Sequence, residues 1–423
     1  MGSSAINLAG PLGPEQFRNK LINGDFTFWQ RGTSDTQGPA SGAELNSYGM
    51  SYMSDRWFIN SSVGVGHTGV GTSVPRVSVK RQGFTMGQPS LSDVGGSQYF
   101  MRVTVGAADG TGVSGVTGAS MEHGNAYLQV GQRIEASDFG EWSGKTVWLS
   151  FLAKSFGNIT HPTIGCRLGL QPDLDGTVAG DVVPSTTAGV HDPLSGDFVG
   201  FNRHIRVSAN NINLTPEWQK FKRKFILPDF TGVTQGTDSV SSIAPLFTLV
   251  CGVSGPAENL AKSQVTDYLG LTSGFTGAFD VAQVQFEIGN DVSPFEKRHP
   301  QVELGMCQRY YRKTYLRDTY PGATTTGYEG MDTFRLEYLS SVDYGKHVNL
   351  APPMRAIPTL TFYNVFGNVG RMSDGNANTS DAVVRCRAMH VSDSGFNWGQ
   401  MHYWDAGFAP HQWYVHYTVD AEL

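Results

Sequence analysis

The stretch FNWGQMHYWDAGFAPHQWYVHYTVD, residues 396–420, gathers Trp398, His402, Tyr403, Trp404, His411, Trp413, Tyr414, His416 and Tyr417 into one short span. Indole and phenol rings offer flat apolar faces on which the CH face of a sugar can stack, and the same rings are favoured at subunit interfaces. Imidazoles also ligate metals, but His411 and His416 are five residues apart, which puts them on opposite faces of a regular strand. Three readings follow for this stretch: a saccharide site using Trp398, Tyr403, Trp404 and Trp413, a trimer interface, or plain core. Near the other end of the chain, Trp29 and Trp57 sit among apolar neighbours. They read first as core side chains, with a sugar-stacking platform as the alternative.

Nucleophile and cofactor signatures are missing. The chain has no GxSxG, HExxH, P-loop or dinucleotide fingerprint. Glu135, Asp138 and Glu141, or Asp173 and Asp175, could supply a glycosidase's paired carboxylates, but proximity in sequence does not set the separation that glycoside hydrolysis requires. A non-enzymatic protein without cofactor or metal is expected. The four cysteines, Cys166, Cys251, Cys307 and Cys386, form no CxxC pair and read as free buried thiols. Lys220-Phe221-Lys222-Arg223-Lys224-Phe225 interleaves cations with aromatics, a pattern that can hold single-stranded nucleic acid. The simpler reading is a solvated strand face whose Phe221, Phe225 and Leu227 enter a core, and no nucleic-acid partner is expected.

These residues need a scaffold, and the composition describes it. Hydrophobic residues make up 39%, charged residues 16%, and there are 52 glycines and 20 prolines, which together indicate a folded chain with many turns. Segments rich in Val, Thr and aromatics favour strands over helices. Alternation marks strands in 75–84, 98–110, 144–156, 217–230, 243–253 and 277–290. In the second of these, Phe100, Arg102 and Thr104 oppose Tyr99, Met101, Val103 and Val105; in the third, Val147, Leu149 and Phe151 share a face. The best helical candidate is 300–316, opened by Pro300. The long loops 106–125 and 171–200 suit binding or subunit contact. An N-terminal arm (1–18), a β-sandwich (19–296) and a smaller α+β domain (297–423) are expected. Net charge is −6, from 31 basic and 37 acidic residues, so the chain as a whole does not attract polyanions. No apolar run is long enough to span a membrane, and residues 1–17 lack the basic start and apolar centre of a signal peptide.

Four stretches taken in order carry a resemblance: LINGDFTFWQRG (21–32), SDRWFI (54–59), QFEIGNDVSPFEKR followed by ELGMCQRYY (285–311), and PPMRAIPTLTFY (352–363). This set resembles bacteriophage and prophage structural proteins of the tail-fibre, head-fibre or minor structural type, in which a carbohydrate-binding-module-like jelly roll precedes a small C-terminal domain. The likeness spans roughly residues 19–423. It implies a mostly-β jelly-roll sandwich displayed on a virion, host adsorption through a cell-surface glycan, a homotrimer, and contact with other virion proteins. A decoration or adaptor protein, or a tailspike depolymerase, are the alternatives. Without a collagen-like or heptad stretch, a compact knob or short fibre is expected rather than a long shaft. On the residues themselves, LINGDFTFWQRG reads as the first strand of the sandwich, with Arg31 and Arg56 pairing with Asp25 or Asp55, and Glu287 reads as a structural hydrogen-bond acceptor.

Overall fold

The computed structural model describes residues 17–37, 49–62, 77–85, 96–105, 127–135, 142–157, 163–170, 205–227, 246–252, 277–325, 328–335, 344–374, 385–400 and 412–422. Among them the first strands are β1 (Ser34–Gln37), β2 (Gly49–Tyr52), β3 (Trp57–Ser62), β4 (Val77–Gly83), β5 (Tyr99–Val105) and β6 (Tyr127–Gln132). They continue with β7 (Thr146–Phe156), β8 (Thr163–Leu170), β9 (Ile205–Asn213), β10 (Gln219–Ile226), β11 (Leu246–Gly252) and β12 (Gly277–Ile288). The chain passes back and forth between two antiparallel six-stranded sheets, ordered β1-β4-β5-β12-β7-β10 and β2-β3-β6-β11-β8-β9. This interleaving is a jelly-roll sandwich. Period-two alternation sends Val79, Met101, Val103, Leu149, Phe151 and Phe279 of the first sheet inward to meet Trp57, Ile59, Val130 and Ile164 of the second.

After an extended segment at 289–299, α1 (Pro300–Gln308) begins with Pro300 in its first turn and His299 as N-cap, whose imidazole accepts from the Gln301 N–H. The helix stops at Gln308, well short of the expected 316, because β13 (Tyr311–Lys313) is drawn into a sheet. The C-terminal elements are β14 (Asp332–Arg335), β15 (Tyr344–Asn349), β16 (Thr359–Tyr363), β17 (Ser373–Asp374), β18 (Cys386–Met389), β19 (Gly395–Gln400) and β20 (Gln412–Asp420). Strand β20 is the hub, paired with β13, β14, β16 and β17, while β15, β19 and β18 form a three-stranded sheet. Met354, Phe362, Met372, Phe396, Trp398, Trp413, Val415 and Val419 fill their common core. Cys166, Cys307 and Cys386 are free buried thiols; the Cys251 side chain lies outside the described residues.

Residues 21–32 are not a strand. Asn23 and Phe26 adopt left-handed backbone angles (φ 58° and 57°), which interrupt the extended backbone of a regular strand. Side chains replace the ladder. Gln132 accepts from Ile22 N (2.7 Å) and donates to Ile22 O (2.7 Å), and the Asn23 carboxamide binds Phe28 N (3.0 Å) and Phe28 O (2.9 Å). The segment's apolar residues then split. Leu21, Phe26 and Trp29 join the sandwich core, while Ile22 and Phe28 pack on Cys307 and Tyr310.

The same segment seams the sandwich to the C-terminal sheets. Asn23 N donates to Glu303, Gln30 Nε2 donates to Tyr311 O (3.0 Å), and Arg298 holds Leu21 O (3.0 Å). The pairing of Arg31 and Arg56 with Asp25 or Asp55 expected from sequence is not what forms. Arg31 reaches Asp420 (3.0 Å) and Glu422 (3.3 Å), and buried Arg56 pairs with Glu422. Their guanidinium planes lie 3.6 Å and 3.3 Å from the rings of Tyr311 and Tyr310. Asp55 instead accepts from Gln30 N (3.0 Å) and Gln30 Nε2 (2.8 Å).

Candidate functional site

The outer face of the first sheet follows from register. Lys80 opposes Arg102, Arg102 opposes Asp280, and Asp280 opposes Lys154. These four side chains make a row across β4, β5, β12 and β7, on the side away from the core. Trp218, just before β10, continues the row beside Lys154, because Gln219 pairs with Ala153. A second row runs next to it through Phe100, Ala282, Leu152 and Lys220.

Aromatic surface gathers where the rows meet. Phe84, Phe100 and Trp218 form a closed trio with ring centroids 4.9, 5.3 and 5.3 Å apart. Phe100 is buried beneath, whereas Phe84 and Trp218 remain partly open. Leu152 and Ala282 form the floor of the cluster. Tilted and edge-on packing at these distances adds roughly 0.5–1.5 kcal/mol per pair beyond area burial, so the platform is preformed.

Asp280 organises the charges around it. Fully buried, it accepts from Arg102 Nε (2.7 Å) and Nη2 (2.8 Å), with Lys154 Nζ at 3.8 Å. Burial pushes its carboxyl above the usual range, against the pull of Arg102 and Lys154. The bidentate grip fixes the Arg102 guanidinium 3.4 Å from the ring of Phe156, itself 41% exposed. Lys154 Nζ stands 5.4 Å from the Trp218 ring centre. The arrangement offers an apolar platform with donors fixed at its edge, as sugar binding requires.

The residues singled out from sequence lie elsewhere. Trp29 and Trp57 are fully buried, their indole N–H groups donating to Phe26 O (2.7 Å) and Asn23 O (3.0 Å). Trp398 is also fully buried, donating to Asp332 (2.8 Å), and Trp413 is buried in the same C-terminal core. None of the four presents an open ring face, since each is at most 4% exposed within its core cluster. Tyr403, Trp404, His402 and His411 lie outside the described residues, as do loops 106–125 and 171–200. Of the carboxylates, Glu135 is clamped by Arg309 (2.9 and 3.0 Å) and by the Tyr310 hydroxyl; Asp138, Glu141, Asp173 and Asp175 are not described. Glu287 accepts from Gln285 Nε2 and Ser293 N, both at 2.8 Å, in the structural role read from sequence. Among the described residues no group of three His, Cys, Asp or Glu side chains converges, and no helix is long and apolar enough to cross a membrane. A cavity of about 110 Å³, lined in part by Asn19, Asp25, Phe28, Phe295 and Arg298, is below the roughly 300 Å³ at which small-molecule pockets begin.

Phe84 and Trp218 fall within the segments 75–84 and 217–230 read as strands, but the two rings meet Phe100 only through the sheet order, which alternation within one segment does not give. The signal that could have found Phe100 and Phe156 was their position opposite the core-facing residues of β5 and β7.

No protein-family model matches the chain, and no curated protein matches it by sequence. Among solved structures, it is similar to the family 11 carbohydrate-binding module of Clostridium thermocellum (13% identity, 60% of this chain, 94% of that one, TM-score 0.24). It is also similar to the CBM22-1 xylan-binding domain of Paenibacillus barcinonensis Xyn10C (10% identity, 51% and 83%, TM-score 0.22). A cyclase from Fischerella sp. TAU gives 10% identity, 65% and 96% coverage, and a TM-score of 0.26.

Proposed function

We propose that this chain is a non-enzymatic phage virion protein of the fibre type, which binds host-surface glycan on the outer face of its first sheet. The observation that carries the binding site is the Phe84–Phe100–Trp218 platform with Arg102 and Lys154 fixed at its edge. The virion assignment rests on the sequence resemblance. A glycan array read with wild type and Trp218→Ala tests the site: the variant loses binding by about tenfold or more while its far-UV circular dichroism stays native. A blank array for the wild-type chain overturns the glycan reading in favour of a decoration or adaptor role. New reducing ends after incubation with a bound polysaccharide overturn the non-enzymatic one. The homotrimer is supported by exposed apolar side chains in the turns between C-terminal strands, among them Tyr320, Phe366 and Val369. Light scattering is expected to give three times the 45.9 kDa chain mass, and the chain mass alone rules it out.

A further inference from the structure

We infer that the glycan bound on this face is anionic. The inference rests on the glycan reading above and names its chemical class. The outer face of the first sheet presents six cations: Lys80, Arg102, Lys154, Lys220, Lys222 and Lys224. Four carboxylates offset part of this charge, one of them the exposed Glu217 just ahead of Trp218. Asp280 is buried under Arg102 and Lys154, and Glu287 accepts from Gln285 and Ser293. Asp291 meets Lys222 at 3.0 Å with both side chains more than half exposed, a pairing of little net value in water. The face is therefore positive in a chain of net charge −6.

The geometry makes the excess costly unless something relieves it. Lys220, Lys222 and Lys224 are all exposed on one side of edge strand β10, repeating about every 6.8 Å along it. That spacing falls within a Debye length of about 8 Å at physiological salt, so the ammonium groups repel one another. Lys220 and Lys224 have no carboxylate partner among the described residues. The row starts beside Trp218 and runs along the sheet past Trp148, which faces Lys224 across the β7–β10 pairing and lies 5.6 Å from Lys222 Nζ. A ligand covering both the aromatic platform and this row must be extended, must offer apolar ring faces at one end, and must carry repeated negative charge. A polysaccharide bearing carboxylate or sulfate groups has these properties. Single-stranded nucleic acid is the competing polyanion, since its bases stack on open ring faces of the same kind, and the oligodeoxythymidylate probe below decides between them.

The intact chain, titrated against four immobilised probes, tests this. The probes are a polyuronate, a sulfated glycan, a neutral β-glucan and single-stranded oligodeoxythymidylate. Polyuronate or sulfated glycan is expected to bind at least tenfold more tightly than β-glucan, and to weaken about tenfold or more between about 10 and 150 mM salt. Whichever of the two binds more tightly identifies the anionic group. Lys220→Gln/Lys222→Gln/Lys224→Gln should lose anionic binding and keep the wild-type melting temperature or exceed it. If the triple variant is poorly folded, Lys222→Glu alone supplies the same comparison. Equal, salt-insensitive binding of β-glucan overturns the anionic assignment and leaves the glycan site standing. Tighter binding of oligodeoxythymidylate overturns it in favour of nucleic acid, and silence from all three glycans takes the glycan reading down with it.

Discussion

His416 shows what burial does to a single titratable group. Its ring stacks 3.8 Å from Tyr315, Nδ1 lies 2.9 Å from Thr314 Oγ1, and burial brings its pKa down to about 4. The unfolded chain takes up this proton below about 6.5 and the folded chain only near 4, so His416 destabilises the fold as pH falls through that interval. Asp55 runs the other way. Burial raises it to about 6 despite Arg31 and Gln30, so the folded state holds the proton more tightly and gains stability as pH falls from 6 towards 4. The two slopes oppose each other, so variant-minus-wild-type differences are the readout. From pH 7 to 4 the melting temperature of His416→Phe should fall less than that of wild type, and that of Asp55→Asn should fall more. Parallel curves for all three would contradict both assignments.

Among the elements, the segment at 21–32 is the least like a sheet and the most dependent on its neighbours. Gly24 O accepts from Val284 N (2.8 Å), and a Cβ on Gly24 would come within 2.2 Å of Val284 O. Asn19 Nδ2 already donates to that oxygen, so neither side has room to retreat. Gly24→Ala should therefore cost about 1–3 kcal/mol through overpacking, visible as a lowered midpoint in urea with an unchanged m-value. A wild-type midpoint would mean that β12 yields more readily than its hydrogen bonds imply.

At the scale of the whole molecule, the seam decides whether the sandwich and the C-terminal sheets behave as one. Glu422 neutralises Arg56, and also Arg31, across it. Arg309 and Tyr310 reach back to Glu135 on the sandwich side; although burial raises the Glu135 pKa, these hydrogen bonds outweigh it and leave the carboxyl below its ordinary value. Removing one partner of a buried pair costs about 3–5 kcal/mol, because the other charge stays buried and alone. Calorimetry of wild type should show one cooperative transition, and Glu422→Ala should lower it or divide it in two. Two separate transitions in wild type would mean that the seam does not couple the parts.

Legibility divided along the same scales. Alternation in β5 and β7 was readable from residues alone: it set Phe100 and Arg102 against Met101 and Val103, and put Leu149 and Phe151 on one face, although which face turns inward came from the structure. Pro300 announced the helix start, although not its end. These features are local, set by side-chain period and backbone preference within a few residues. Tertiary structure alone decided that the partners of Arg31 and Arg56 come from the far end of the chain, and that Trp218 meets Phe84 and Phe100. Such neighbours depend on sheet order and register across long connections, and strand periodicity carries no record of which strand lies alongside.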